Sequence, residues 1–266
     1  MLKKRFMYWM RKFRLIHLLD TSYFFYNKIR FHFKNKRFRQ NERHVKVPPD
    51  YLLYESYQMD YESYYNEGKS AAVWLYEQVS GYISQGNIKV LDWGCGPGRV
   101  LRHLPSLLPN SELYGSDYNI KSIEWCRKNI SGVAFSINRT DPPLPYGDHF
   151  FDIAYALSVF THLSEENHYK WFDEFYRVIK PGGILLVTTQ GNVFKHKLSQ
   201  KEIEEFSRGL LVVRNKAKEG HRSYSAFQPE VYMKSIFSSR WKILNFVKGT
   251  VQSWGLEQDT WVLQKT

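Results

Sequence analysis

Three alternate glycines follow an aspartate in the stretch Lys89-Val-Leu-Asp-Trp-Gly-Cys-Gly-Pro-Gly98. The residues before Asp92 are typical of a short apolar strand, which the aspartate ends. The glycines predict a turn that no side chain crowds. Apolar residues at helical spacing come next, so the pattern predicts strand, glycine turn and helix. A ligand would lie on bare backbone at the positive end of that helix.

The spacing of this stretch indicates the kind of ligand. Dinucleotide sites use Gly-x-Gly-x-x-Gly and seat a pyrophosphate on the helix N-terminus. Here the pattern is Asp-x-Gly-x-Gly-x-Gly, and the aspartate would repel a pyrophosphate but suit a cation or an amino group. The stretch resembles the first motif of the class I S-adenosylmethionine-dependent methyltransferases, whose cofactor carries an amino acid and a sulfonium.

Three later stretches resemble further motifs of the same family. Glu112–Asp117 is similar to its second strand, which ends in an acid, and residues 142–158 resemble the lead-in and fourth strand. Residues 176–188 resemble the passage from a helix to the fifth strand, with Pro181 and two glycines ending the helix. The resemblance covers about residues 70–190. It implies an α/β fold with a Rossmann-like, seven-stranded, mostly parallel sheet and an antiparallel last strand.

The resemblance also implies which residues hold S-adenosylmethionine. Asp92 and the backbone of the glycine turn would face its amino-acid end, Asp117 would bind the ribose, and Tyr118 would lie against the adenine. Either Asn138 or Asp141 would meet the adenine amino group, although the acid that usually follows a glycine there is missing. The predicted cofactor residues are Asp92, Gly94, Cys95, Gly96, Gly98, Asp117, Tyr118, Asn138 and Ser158.

Two histidines are candidates for a general base. His162 follows the predicted fourth strand, and ligands of open α/β sheets bind at such strand ends. His221 lies on a predicted strand pair, Leu210–Val213 with His221–Phe227. The alternatives are a histidine that packs at a helix start for His162, and ordinary hairpin polarity for His221.

The predicted domain organisation has three parts. Residues 1–46 form a helical basic arm, residues 47–68 a tyrosine-rich cover segment, and residues 69–266 the methyltransferase domain. Helices are predicted at 68–83, 120–129, 200–206 and 229–237, and a final antiparallel strand pair at 241–247 and 259–264. Residues 192–228, here called the lid segment, would cover the acceptor.

The net positive charge of the chain is confined to the arm. Residues 1–46 hold 14 Lys/Arg and 2 Asp/Glu, whereas the rest of the chain holds 24 of each. Phe6, Trp9, Met10, Phe13 and Leu18 have near-helical spacing, with cations between them. Such an arm fits contact with an anionic membrane surface, packing on the protein body or a second subunit, or RNA contact.

The cover segment is dense in tyrosine from Tyr51 to Tyr65. These rings would stack on a sugar or aromatic acceptor, or would form a helix face packed on the body. Cys95 and Cys126 are the chain's two cysteines, which predicts neither disulfides nor a metal site and suits a reducing cytoplasm. We therefore expect a cytoplasmic protein, at the inner membrane face if the arm binds lipid.

The neutral body favours a small-molecule or glycan acceptor over nucleic acid. Residues 158–163 and the terminal Gln-Asp-Thr-Trp-Val-Leu resemble bacterial methyltransferases that accompany surface-polysaccharide assembly. The expected reaction is O-methylation. The alternatives are an RNA methyltransferase that uses the arm and a non-catalytic cofactor-binding subunit. Against the first, this chain lacks the Asn/Asp-Pro-Pro-Tyr/Phe tetrad that base-amine enzymes have after the fourth strand.

Replacing Gly96 by aspartate should abolish cofactor binding, because the new side chain would fill the turn and add negative charge beside Asp92. Calorimetric titration with S-adenosylhomocysteine measures this directly. Unchanged affinity would refute the assignment of the glycine turn.

Overall fold

The computed structural model describes residues 16–82, 86–215, 217–237, 240–253 and 255–266. The chain divides into two compact units, Met1–Gly68 and Lys69–Thr266. The predicted helix through Phe6 to Leu18 lies mainly outside the described residues. Among the helices that the structure describes, none is long and apolar enough to cross a membrane.

The first unit is built on helix α1 (Ile16–Asn41), which packs on the chain that follows it. Helix α2 (Asp50–Ser56) comes after the two prolines. The buried side chain of Asn35 donates from Nδ2 to the carbonyl of Met59 at 2.7 Å and accepts from the backbone N–H of Tyr61 at 3.0 Å. The arm and the cover segment, which the sequence separates at the prolines, therefore form one unit.

Three tyrosines of the cover segment are buried in this first unit. Tyr54 donates to Asp20 at 2.8 Å, Tyr61 donates to Asp50 at 2.6 Å, and Tyr64 packs in the apolar cluster. Tyr51 and Tyr57 are exposed. The structure thus assigns the three buried rings to packing within this unit.

The second unit contains a seven-stranded sheet with the order β3-β2-β1-β4-β5-β11-β8. Its strands are β1 (Lys89–Trp93), β2 (Glu112–Asp117), β3 (Val133–Ile137), β4 (Phe151–Ala156), β5 (Ile179–Thr189), β8 (Trp241–Val247) and β11 (Asp259–Lys265). The first five pair in parallel, and β11 runs antiparallel to both β5 and β8. The predicted fold class and the antiparallel last strand are confirmed.

Both faces of this sheet are buried. Neighbouring residues of one strand enter different apolar clusters: Leu185 and Leu186 of β5 do so, as do Trp261 and Val262 of β11. This alternation, with apolar residues on both faces, is typical of a sheet covered on each side by helices. The covering helices include α3 (Tyr61–Val79), α5 (Ile120–Asn129), α6 (Glu165–Val178) and α8 (Glu230–Phe237).

Two predicted helices have different bounds. Helix α3 begins at Tyr61 rather than Gly68, because the Asp60 carboxylate accepts a hydrogen bond from the backbone N–H of Ser63 and caps the helix there. After the glycine turn there is no long helix, only a 3₁₀ turn at Leu101–His103 and the short α4 (Leu104–Leu107). Pro105 lacks an N–H and its ring would clash with the carbonyl of Leu101.

The lid segment has a small core of its own, in which Phe194, Phe206 and Phe227 are buried. It contains α7 (Gln200–Ser207) and an antiparallel hairpin of β6 (Val212–Arg214) and β7 (Ser225–Phe227). The predicted hairpin is confirmed, but its second strand begins at Ser225. His221 therefore lies on the turn before that strand, not on the strand as predicted. A two-residue pair, β9 (Val251–Gln252) with β10 (Gly255–Leu256), precedes β11.

Candidate functional site at the carboxyl ends of the strands

The backbone N–H groups of the glycine turn are all bonded within the protein. Those of Gly94 and Cys95 donate to the carbonyl of Ser116, at 2.7 and 3.1 Å. That of Gly98 donates to the carbonyl of Cys95, that of Gly96 donates to a carboxylate, and Pro97 has none. Residues 94–98 thus offer no N–H to a phosphate.

Packing requires glycine at the two ends of the turn. Gly94 has a φ of +77°, and a Cβ there would lie 2.3 Å from Val159. Gly98 has a φ of +73°, and a Cβ there would lie 2.4 Å from Ile130. At both positions the backbone is left-handed and the space that a Cβ would need is already occupied by a neighbouring side chain, so larger residues are disfavoured.

Asp117 ends β2 and holds the glycine turn in place. Its Oδ2 accepts from the N–H of Gly96 at 2.8 Å, and its Oδ1 accepts from the N–H of Asn119 at 2.7 Å. Burial raises the pKa of this carboxyl group, against the opposing effect of the two N–H donors. Each oxygen keeps a second lone pair, so the carboxylate is still able to accept from a ribose hydroxyl.

Asp92 is buried at the end of the neighbouring strand β1. Its pKa is raised to about 7, chiefly by burial and also by the nearby Asp117 charge, against the opposing effects of the Tyr155 hydroxyl and Arg99. Two acidic groups that are buried away from water repel each other when both are ionised. A ligand with positive charge would relieve that repulsion, so the chemistry of the site suits an ammonium or sulfonium and not a phosphate.

The other predicted cofactor residues lie around this pair in different roles. The side chain of Cys95 is buried in the core, and its Sγ lies 3.5 Å from the carbonyl of Gly96 within the turn. Asn138 accepts from the Ser116 hydroxyl at 2.7 Å, which joins β2 to the chain after β3. Asp141 is exposed and pairs with Lys170 at 3.4 Å. Of the two residues proposed for the adenine, Asn138 is the one next to β2.

Ser158 follows β4 with a φ of +63°, a strained conformation for a residue with a side chain. Its N–H donates to the Thr188 hydroxyl at 2.8 Å, and its own hydroxyl donates to Oε1 of Gln258 at 3.0 Å. The same amide oxygen accepts from the Thr188 hydroxyl at 2.6 Å. Sequence reasoning missed Thr188 of β5 and Gln258, which lies just before β11, because both are distant from Ser158 along the chain.

A turn of the lid segment, residues 217–224, bonds to the chain after two strands. We call it the lid turn. The carbonyl of Gly220 accepts from the Tyr118 hydroxyl at 3.1 Å, and the N–H of Gly220 donates to the carbonyl of His162 at 2.9 Å. The lid turn therefore lies across the carboxyl ends of β2 and β4, beside Asp117 and Ser158.

His162 is held by the lid turn as a neutral imidazole. Its Nδ1 lies 2.7 Å from the carbonyl of Tyr224, which only accepts, so Nδ1 carries the proton and Nε2 the lone pair. Burial lowers its pKa, and the positive charge of Arg222 lowers it too, against the opposing effect of the hydrogen bond to Tyr224. A neutral histidine with Nε2 unprotonated is the form that a general base requires.

His221 has the opposite arrangement. Its Nδ1 accepts a hydrogen bond from the backbone N–H of Ser223 at 3.2 Å. A neutral ring that accepts at Nδ1 carries its proton on Nε2, so it is a donor there. The structure brings His221 close to His162, but only His162 has the tautomer of a base.

A buried polar network that sequence reasoning missed supports the segment from Ser158 to His162. His168 donates from Nδ1 to the carbonyl of Ser164 at 2.7 Å, and its Nε2 lies 3.1 Å from the amide nitrogen of Gln228. That amide also donates to the carbonyl of Phe160 at 2.9 Å. Burial lowers the pKa of His168 to about 4, against the opposing effects of the Ser164 carbonyl and the Glu219 charge. No spacing in the sequence marks this contact between residues sixty positions apart.

Comparison with known proteins agrees with this geometry. A family described as a methyltransferase domain matches residues 91–187, from β1 through β5. The chain contains a class I S-adenosylmethionine-dependent methyltransferase domain. Its family cofactor is S-adenosylmethionine, which when bound supplies a methyl group on a positively charged sulfur.

Curated relatives of the methyltransferase domain act on several kinds of acceptor. A tRNA (carboxymethyluridine(34)-5-O)-methyltransferase of Arabidopsis thaliana is 37% identical over 102 residues, which cover 37% of this chain and 23% of the relative. A malonyl-[acyl-carrier protein] O-methyltransferase of Legionella pneumophila is 28% identical over 134 residues, covering 50% of this chain and 46% of that protein. The chain thus spans less than half the length of either relative.

Solved structures share the fold of the methyltransferase domain. A SAM-dependent methyltransferase of Methanosarcina mazei is 21% identical with a TM-score of 0.57, covering 71% of this chain and 97% of its own. The magnesium protoporphyrin IX methyltransferase of Synechocystis, solved with S-adenosylhomocysteine bound, has a TM-score of 0.54 at 14% identity and covers 90% of this chain and 98% of its own. At these identities the likeness concerns the fold.

Replacing Asp92 by asparagine should stabilise the unliganded protein at pH 8 by on the order of 1 kcal/mol and weaken S-adenosylhomocysteine binding. The native pKa of about 7 lies above that of the unfolded chain, so wild-type stability falls as pH rises through this window. Urea unfolding at pH 8 and pH 5 measures the effect, which should shrink at pH 5. The exposed Asp141→Asn is the matched control. Equal destabilisation by Asp92→Asn at both pH values would contradict the assignment.

Replacing His168 by methionine should flatten the dependence of stability on acid. The native pKa of about 4 lies below the ordinary 6.5, so wild-type stability is lost as pH falls below 6.5, by about 2 kcal/mol at pH 5. The variant loses its bonds to Ser164 and Gln228 and should be about 1–2 kcal/mol less stable at pH 8. That deficit should narrow or reverse at pH 5. The exposed His196→Gln serves as control, and parallel stability curves for the His168 variant would disprove the argument.

Proposed function

We propose that this protein transfers the methyl group of S-adenosylmethionine to a hydroxyl group of a small-molecule or glycan acceptor. In such a transfer the acceptor oxygen bonds to the methyl carbon as the bond from that carbon to sulfur breaks, and the hydroxyl proton goes to a base. Positioning and exclusion of water supply most of the rate enhancement. The family resemblance adds that the acceptor belongs to surface-polysaccharide assembly.

The observation that carries the proposal is the state of His162. His162 lies on the turn that follows β4, and the hydrogen bond from its Nδ1 to Tyr224 leaves the lone pair on Nε2. Hydroxyl acceptors need a proton acceptor of this kind, whereas neutral amines and thiolates do not. Asp92, Asp117 and the glycine turn would hold the cofactor on the adjacent strands.

The charge distribution also supports an acceptor that is not a polyanion. From residue 47 onward, acidic and basic residues are equal in number. A nucleic-acid site is usually marked by a basic patch on the domain itself. The two curated relatives described above are both named O-methyltransferases, which agrees with a hydroxyl or carboxylate oxygen as the target.

A tRNA acceptor is the second candidate, favoured by the named activity of the Arabidopsis relative and by the basic residues of the arm. A tRNA substrate would need its phosphates neutralised, so methylation would fall steeply with salt. Labelled S-adenosylmethionine offered with glycans, small hydroxy compounds and bulk tRNA separates the two candidates. Methylated tRNA alone would overturn the first.

With the acceptor in hand, His162→Gln should lower kcat by about 10²–10⁴-fold. It should leave S-adenosylhomocysteine affinity nearly unchanged, since the amide still donates to Tyr224. The wild-type rate should rise with pH and level off below the ordinary histidine pKa of 6.5, because burial lowers the pKa of His162. His221→Gln should have a much smaller effect on kcat. An equal loss in both variants, or a pH profile unchanged in His162→Gln, would refute His162 as the base.

A further inference from the structure

Helix α1 has two faces of opposite character. Asn27, Asn35 and Phe38 are buried along one side and pack in the first unit. On the other side Phe25, Ile29 and Phe33 recur at four-residue spacing, which places them on one face of the helix. We call these three residues the apolar stripe.

The side chains of the apolar stripe are exposed to an unusual degree. Phe25 is 57% exposed, Ile29 77% and Phe33 80%. The stripe covers about 12 Å of helix, and the half-exposed Tyr26 borders it. A row of large apolar side chains on a protein surface marks a site of interaction and not ordinary surface variation.

Cations surround the apolar stripe. Lys36 and Arg37 follow Phe33 by one turn and extend the same face, and Lys28 and Arg30 flank Ile29. All four are exposed, and the helix contains six Lys/Arg but only one Asp or Glu. An apolar stripe with a cationic border is complementary to a surface that is anionic outside and apolar just beneath.

We propose that this face of α1 docks on a membrane surface that contains anionic lipids. The apolar stripe would enter the boundary between headgroups and acyl chains, and the bordering cations would meet lipid phosphates. The helix would lie in the plane of the surface, since its opposite face is occupied by packing.

Two other occupants fit the surface less well. A second copy of this chain would bring two strongly basic helices together, and like charges would oppose the contact. RNA would use cations and stacked rings, but Ile29, at the centre of the stripe, cannot stack on a base. Only the lipid surface uses both the aliphatic residue and the cations.

Flotation of the full-length protein with vesicles tests the proposal without any cofactor or acceptor, so its outcome is independent of the proposed methylation. We expect binding to phosphatidylcholine vesicles that contain phosphatidylglycerol, and little binding to pure phosphatidylcholine. Binding should weaken when salt rises from about 0.1 M to about 0.5 M.

The triple variant Phe25→Ser, Ile29→Ser, Phe33→Ser should lower the partition coefficient on anionic vesicles at least about tenfold. Lys36→Gln with Arg37→Gln should weaken binding several-fold and reduce its salt dependence. The matched control, Val231→Ser with Val251→Ser, removes exposed apolar residues of the second unit and should bind as wild type.

Three results would overturn the proposal. The first is vesicle binding that the stripe variant leaves intact. The second is no vesicle binding together with a wild-type oligomer, seen by sedimentation, that the stripe variant dissociates. The third is binding to bulk tRNA that prevents vesicle binding and that persists when Ile29 is replaced.

Discussion

The hydrogen bond from the Gly96 N–H to the Asp117 carboxylate is the constraint on which the site depends. It joins the turn after β1 to the end of β2, and it uses an N–H that a phosphate ligand would otherwise bind. The bond keeps an acid buried next to a second acid, Asp92. The resulting negative potential, in a dry place at two strand ends, selects for a positively charged ligand before any other residue contributes.

The sequence predicted the sheet and the cofactor turn because these depend on local patterns. Apolar strands, alternate glycines and strand-terminal acids each have a spacing that can be recognised in the chain. The prediction of a long helix after the turn was wrong because one residue, Pro105, overrides the helical spacing of the apolar residues. The start of α3 was missed because a cap at Asp60 decides it, not the apolar face.

The rest of the site could not be predicted because it depends on contacts between distant segments. Gln228 reaches His168 and the carbonyl of Phe160, and Gln258 reaches Ser158. Neither glutamine has a distinctive local pattern. The tautomers of His162 and His221 likewise depend on their hydrogen-bond partners, and only the three-dimensional arrangement separates the base candidate from its neighbour.

The lid turn contacts Tyr118 and His162 through main-chain atoms of its own, and its Glu219 side chain accepts from the backbone N–H of Ser164. Gly220 contributes its N–H and carbonyl, and Tyr224 contributes its carbonyl to His162. The main-chain carbonyl of Tyr224 therefore sets the tautomer of the imidazole, whereas the charged side chain of Arg222 contributes to its lowered pKa. Substitutions that keep the backbone of the turn would leave this tautomer unchanged, whereas insertions or deletions would move the Tyr224 carbonyl away from His162. The length of the turn is thus a stronger constraint on the state of His162 than the identity of most of its side chains.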